Sequence, residues 1–140
     1  MDVQAQSSTI SEYDAEAVLS AIDETAGEQL RVFAEYDDGS YSVLYLADAV
    51  HQEYEDTAKF EETADALHAD YRLDFTEKQM HEEVYSDMGE VRAFAVFLSD
   101  QAIFRFVGRE SGLYVSLTLD APFNRVISAV YSIIDAETDR

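Results

Sequence analysis

Three histidines, two adjacent acid pairs and a set of arginines and tyrosines are the side chains with chemistry to offer in this 140-residue chain. His51, His68 and His81 stand far apart, and His81-Glu82-Glu83 lacks the second histidine of a helical H-E-x-x-H zinc motif. Each lies among acids, where a solvated imidazole is the simpler reading, so no metal is expected. Glu61-Glu62 and Glu82-Glu83 are carboxylate pairs of the kind that serve as general acids. That work needs a pKa raised by an apolar cleft, and in a chain with 30 acids a solvated face is the plainer account. The absence of cysteine excludes thiolate catalysis and a disulfide framework. The five glycines form no phosphate loop or dinucleotide fingerprint, and no serine sits in a nucleophile elbow. No catalytic group is assigned, no cofactor is expected, and the chain reads as non-enzymatic.

The arginines and tyrosines suggest recognition instead. Three β-prone runs follow one another from Val91 to Leu98, Ala102 to Val107 and Leu113 to Leu119, split by Ser99-Asp100-Gln101 and by Gly108 to Gly112. Such runs between turn residues predict an antiparallel meander. Alternation sends Leu113, Val115, Leu117 and Leu119 to a core face and Tyr114, Ser116 and Thr118 to the other. Arg92 is in phase with Phe94, Val96 and Leu98, and Arg105 with Ile103 and Val107. With those phases on the outer face, Arg92, Phe94, Arg105 and Tyr114 make an arginine–aromatic patch. Arginine and tyrosine are enriched at binding hot spots. The competing reading for each arginine is an internal pair with a neighbouring acid.

Charge distribution bears on that choice. The formal net charge is −21, from 30 acids against nine bases, of which only Lys59 and Lys78 are lysine. Such a charge destabilises a compact state by self-repulsion, and molar salt removes most of the penalty by shortening the Debye length to about 3 Å. The composition therefore reads as adaptation to a salt-rich cytoplasm; a nucleic-acid mimic or acidic chaperone is the rival. Residues 1–89 hold 23 acids and four bases, whereas residues 90–134 hold four of each. A halophilic protein places acids where it meets brine. The meander and the helix after it are then either covered by the rest of the chain or turned to a partner. Nucleic acid is not expected as that partner, because affinity for it comes chiefly from neutralising phosphates.

The remaining elements follow from period and punctuation. Residues 1–10 have no apolar periodicity and read as a flexible tail; 11–137 read as a single domain. Ala15, Val18, Leu19, Ile22 and Ala26 predict a helix begun near Ser11–Asp14 and ended at Gly27. Asp37-Asp38-Gly39 between two β-prone runs predicts a hairpin whose faces are both partly covered. Phe60, Ala64, Leu67 and Tyr71 form a helical stripe capped at Asp56 or Thr57. Thr76-Glu77-Lys78-Gln79 is a capping box, with Phe75 stapled to Met80, opening a helix that buries Met80 and Val84. Asp120 and Pro122 open the last helix, striped by Phe123, Val126, Ile127, Val130 and Ile134. The expected core includes Val18, Ile22, Leu30, Val32, Leu67, Phe97, Phe104, Val115, Leu117 and Val130. The fold class is α+β, in the order α-β-β-α-(α)-β-β-β-α. It has an antiparallel sheet of about five strands, hairpin plus meander, with helices packed mainly on one face. The longest apolar run, Ala93 to Leu98, is far short of a membrane span, and no basic-then-apolar leader is seen; no membrane role and a cytoplasmic location are expected.

This order, with the hairpin at Asp37-Asp38-Gly39, the meander and the closing helix, resembles the roadblock (dynein light chain) and longin group and, more broadly, profilin-like domains. The second middle helix at Thr76 departs from that pattern. Leu44-Tyr45-Leu46-Ala47-Asp48 and Gly89-Glu90-Val91-Arg92 are similar to segments of a family of small acidic haloarchaeal proteins of unknown function. The expectation for function is a regulatory or scaffold protein of a halophilic cytoplasm, acting through a protein interface on its sheet and self-associating. The alternative is a small-molecule sensor of profilin-like type, because profilin-like sheets cradle ligands beside a helix.

Overall fold

The computed structural model describes residues 10–54 and 56–138; the expected tail falls almost wholly outside them. Asp14 opens α1 (Ala15–Ala26), accepting a hydrogen bond from the Ala17 N–H. Ala15, Val18, Ile22 and Ala26 recur at helical spacing and all are buried. Gly27 ends the helix at a φ of 54°, a left-handed value costly for any residue with a Cβ. A 3-10 turn (Gly27–Gln29) leads into β1 (Leu30–Asp37), which pairs antiparallel with β2 (Tyr41–Leu46). In the turn between them, the Asp37 carboxylate accepts from the Gly39 and Ser40 N–H groups and from the Ser40 hydroxyl. Burial disfavours the Asp37 charge, but those bonds outweigh it and hold the carboxyl below its usual range.

Three helices follow: α2 (Asp48–Glu53), α3 (Thr57–Tyr71) and α4 (Asp74–Val84). Asp56 caps α3 by accepting from the Lys59 N–H. The meander is β3 (Ala93–Phe97), β4 (Ala102–Val107) and β5 (Ser111–Leu117), and α5 (Phe123–Thr138) closes the chain. The sheet order is β2-β1-β5-β4-β3 with every neighbouring pair antiparallel. This is the α+β fold the sequence predicts, with α3 and α4 as the two middle helices of the predicted order and the short α2 added before them.

Two hydrophobic clusters lie on opposite sides of the sheet. The larger joins α1 and α5 (Val18, Ile22, Val126, Val130) to Phe33, Phe104, Phe106, Leu113, Val115 and Leu117. The smaller holds Ala34, Tyr36, Ile103 and Tyr114 beneath Tyr71, with Phe75 against it. The main core therefore has its helices on one face, and α3 and α4 lay a second, thinner cover on the other. Leu30 and Phe33 both enter the larger core although strict alternation parts them. A register shift between Leu30 and Val32 in the pairing with β5 resets the phase.

Several local expectations are corrected. Leu67 is 37% exposed and Phe97 61%, so neither is core. Met80 (62%) and Val84 (73%) face outwards rather than inwards. The Thr76 capping box is not used, because α4 begins at Asp74, with Leu73 at its N-cap position and no side-chain cap. Asp120 does not cap α5; it accepts from the Thr118 hydroxyl, and the Pro122 carbonyl takes the Val126 N–H instead. Leu119 lies past the end of β5 and is exposed.

Candidate functional site

Arg105 sits mid-strand in β4, opposite Phe94 on β3 and Tyr114 on β5. Those three share one face, as alternation predicts. The face is not open, however. Arg105 and Tyr114 are 7% and 8% exposed, because α3 and α4 cross above them. Asp74, the first residue of α4 and 1% exposed, drops onto Arg105, accepting from Nε at 2.8 Å and from Nη2 at 3.2 Å. Tyr36 from β1 donates to the same carboxylate at 2.6 Å. Tyr71, at the end of α3, lays its ring 4.8 Å from the guanidinium and 5.0 Å from the Tyr114 ring. The cluster joins three strands and two helices through one buried ion pair. Gly112 opposite Tyr36 permits the approach, since a Cβ there would stand 2.6 Å from the Tyr36 ring.

The electrostatics follow from burial. Desolvation works against the Arg105 cation, but the hydrogen bonds and charge of Asp74 outweigh it and raise its pKa. Desolvation and the neighbouring Asp74 carboxylate push the Tyr36 phenol far above its ordinary range, and desolvation with Tyr114 does the same to Tyr71. With its acid matched to one guanidinium and one phenol, this cluster holds the fold together. Of the patch read from the sequence, Phe94, Arg105 and Tyr114 share one face but Arg92 does not join them, and Arg105 and Tyr114 are not on the surface.

Arg92 lies elsewhere. It precedes β3 and turns towards the α5 side, pairing with Asp135 at 2.5 Å and covering the Tyr131 ring at 4.0 Å. The alternation expected across Arg92 and Phe94 does not extend beyond β3 itself. Arg92 borders an open cleft of about 770 Å³ shared with Tyr13, Lys78, Glu82 and Arg109. Two ion pairs lie along that cleft, Lys78 with Glu82 and Arg92 with Asp135. Among the described residues, no three His, Cys, Asp or Glu side chains converge as metal ligands, and no helix is long and apolar enough to cross a membrane.

The surface that is open is the β3 edge. β4 and β5 are buried along their whole lengths, whereas the second half of β3 is exposed. Val96 (38%), Phe97 (61%) and Leu98 (45%) present apolar side chains there, and among the described residues only β4 pairs with β3. On the α4 side, His81 lies 5.7 Å from the Phe94 ring and 6.2 Å from that of Tyr85, and Met80, Val84 and Met88 are also exposed, the last 81%. Sequence alternation put Val96 and Leu98 on the outer face with Phe94, but it assigned Phe97 to the core and Met80 and Val84 to the buried side of their helix.

The second distinctive feature is a cavity of about 260 Å³ between the α3 side of the sheet and helices α2 and α3. Tyr36, Tyr41, Tyr54, Phe60, Tyr71 and Tyr114 supply its aromatic walls. Arg31 reaches it from β1, with Nη2 2.8 Å from Glu53 and a buried Nε that has no hydrogen-bond partner.

Comparison with known proteins yields no match among curated sequences. Among solved structures the fold is similar to a roadblock/LC7 domain from Streptomyces avermitilis, at 16% identity and a TM-score of 0.60, over 87% of this chain and 92% of that one. It is also similar to Myxococcus xanthus MglB, at 9% identity and 0.57, over 94% and 92%. A structure described as MglB with tetrameric arrangement matches at 14% and 0.58, over 94% and 93%. These likenesses establish a roadblock-like fold, as the element order suggested. Residues 16–135 match a single family profile, so the chain belongs to the family described as a domain of unknown function, DUF7522.

Proposed function

We propose that this protein is a non-enzymatic regulatory or scaffold module of a halophilic cytoplasm that self-associates through the β3 edge of its sheet. The observation that carries the reading is the run Val96-Phe97-Leu98, exposed on an unpaired edge of a protein with a net charge of −21. An unpaired apolar edge strand is a template for another strand, and proteins that do not use such an edge protect it with charge, proline or a covering element. Here the edge carries none of these from Ala93 to Leu98. A second copy is the favoured occupant on charge grounds. Two copies repel wherever their acidic surfaces meet, and the meander with its following helix is the stretch whose acids and bases balance. Phe94 and Arg92 flank this contact, while Arg105 and Tyr114 act from below by fixing α4 beside it. One roadblock-like neighbour is described as tetrameric, in keeping with assembly by this fold. The buried Asp74–Arg105 pair, closed to solvent, supports a structural rather than a catalytic use of the strongest charged group.

The test is light scattering in molar KCl on the wild type and on Val96→Lys/Phe97→Lys. Because the Phe97 ring also touches Phe104 and Phe123, circular dichroism and the single variant Val96→Lys separate loss of assembly from loss of fold. A multimer for the wild type and a monomer for the variant is the expected result; a monomeric wild type at all accessible concentrations sinks the reading.

A further inference from the structure

We propose that the cavity between the sheet and helices α2 and α3 binds a small neutral molecule, planar, of one or two rings. Protein interiors are close-packed, with few voids larger than a water molecule. The stripe of α3 formed by Phe60, Ala64 and Tyr71 nevertheless stands over an open volume of about 260 Å³. That is just below the range of about 300–1,000 Å³ for pockets that hold drug-sized ligands, which sets the limit of one or two rings.

Several polar groups on these walls are turned to partners within the fold. The Tyr36 hydroxyl serves Asp74, the Tyr41 hydroxyl serves Asp65, His68 Nε2 bonds the Asp37 carbonyl and Thr63 bonds the Lys59 carbonyl. Six aromatic rings together with Val32, Val43 and Ile103 leave a surface suited to a flat apolar body. Arg31 lines the same wall with its guanidinium held by Glu53. Neutrality follows from that pair. Arg31 and Glu53 on this wall already neutralise each other, so neither an added anion nor an added cation finds an unmatched counter-charge there.

The assignment is independent of self-association, and its test reads different atoms. Methyl-labelled protein in molar KCl is titrated with quinazolin-4-one, a neutral bicycle, and with 2-naphthoate, an anion of similar size. The expected result is saturable shifts of the Val32, Val43 and Ile103 methyls with quinazolin-4-one, no shift at Ile22 or Val130 in the opposite core, and binding of 2-naphthoate weaker by about tenfold or more. Ala64→Trp, at a half-exposed helical position, fills the space from the α3 side and abolishes the shifts. Absence of shifts at the three cavity methyls up to millimolar probe overturns the proposal, as does equal binding of the anion. Should Ala64→Trp fail to fold, the contrast between cavity and opposite-core methyls in the wild type still decides the matter.

Discussion

At the scale of single residues, Asp74 and Arg105 decide how the second layer attaches to the sheet. Two buried charges cost several kcal/mol each to desolvate, and their mutual attraction repays this only with good geometry and further hydrogen bonds. Here both guanidinium bonds and the Tyr36 hydroxyl meet one carboxylate. Removing a single partner strands the other, so Asp74→Ala should lose about 3–5 kcal/mol of stability in denaturant unfolding. The triple change Asp74→Leu/Arg105→Met/Tyr36→Phe replaces the whole cluster with apolar groups and should recover most of that loss. If the triple variant is no more stable than Asp74→Ala, the damage comes from packing and not from an unpaired charge. The same cluster sets the alkaline limit. Burial and Asp74 raise Tyr36, and burial and Tyr114 raise Tyr71. A folded-state pKa above the unfolded value of about 10 means that the native state holds protons the unfolded chain has lost. That stabilisation is complete below pH 10 and disappears as pH climbs towards the folded values, each such tyrosine contributing a slope of about 1.4 kcal/mol per pH unit. Unfolding free energy should be unaffected by these phenols from pH 8 to 9.5 and fall steeply above 10. A tyrosinate absorbance titration in which all nine tyrosines ionise together near pH 10 in the folded state contradicts this.

At the scale of elements, what was readable in the sequence and what was not divide along a physical line. Local signals place elements well: β4 runs from Ala102 to Val107 as read, Asp56 caps α3, and Gly27 ends α1. What alternation cannot carry is which strand lies at the edge and which in the middle. β4 holds a charged residue and is buried throughout, while β3 holds none from Ala93 to Phe97 and is half open. The difference comes from strand order and from a long-range partner, Asp74, 31 residues from Arg105. The same partner explains α4. Asp74 is drawn into the first turn by Arg105, so the helix begins before the Thr76 box and turns Met80 and Val84 outwards. This orientation is testable on the folded monomer. Replacing Met80 and Val84 by Glu should change stability by within about 0.5 kcal/mol per site, as at exposed positions, where core positions would lose about 2–5 kcal/mol each. A loss in the larger range would return α4 to the orientation expected from its sequence.

At the scale of the whole molecule the governing quantity is the charge, and structure now says where it lies. The acid-poor segment from 90 to 134 supplies β4 and β5, which their own helices cover on both sides, so much of its lack of acids needs no partner. β3 is the part left over, and it is the part that remains open. The acids of residues 1–89 lie mainly on exposed positions of the helices, and α3 alone presents Glu61, Glu62, Asp65 and Asp70 to solvent. Few of these have a cation within reach, because residues 1–89 contain only four bases. Their repulsion acts over a Debye length of about 10 Å at 0.1 M salt and about 3 Å at 1 M, so it spans the helical layer in dilute buffer and hardly reaches the next side chain in brine. α3 should feel this first. It carries one fully buried residue, Tyr71, and stands over the cavity, so little packing opposes its departure. Lowering KCl from 2 M to 0.1 M should therefore cause loss of amide protection along α3 before α1 and α5 are affected, followed by cooperative unfolding. Hydrogen exchange measured residue by residue across that salt series separates the two steps. Uniform protection at every salt concentration would mean that the acids are a solvated surface without energetic consequence, and that the balanced meander owes nothing to brine.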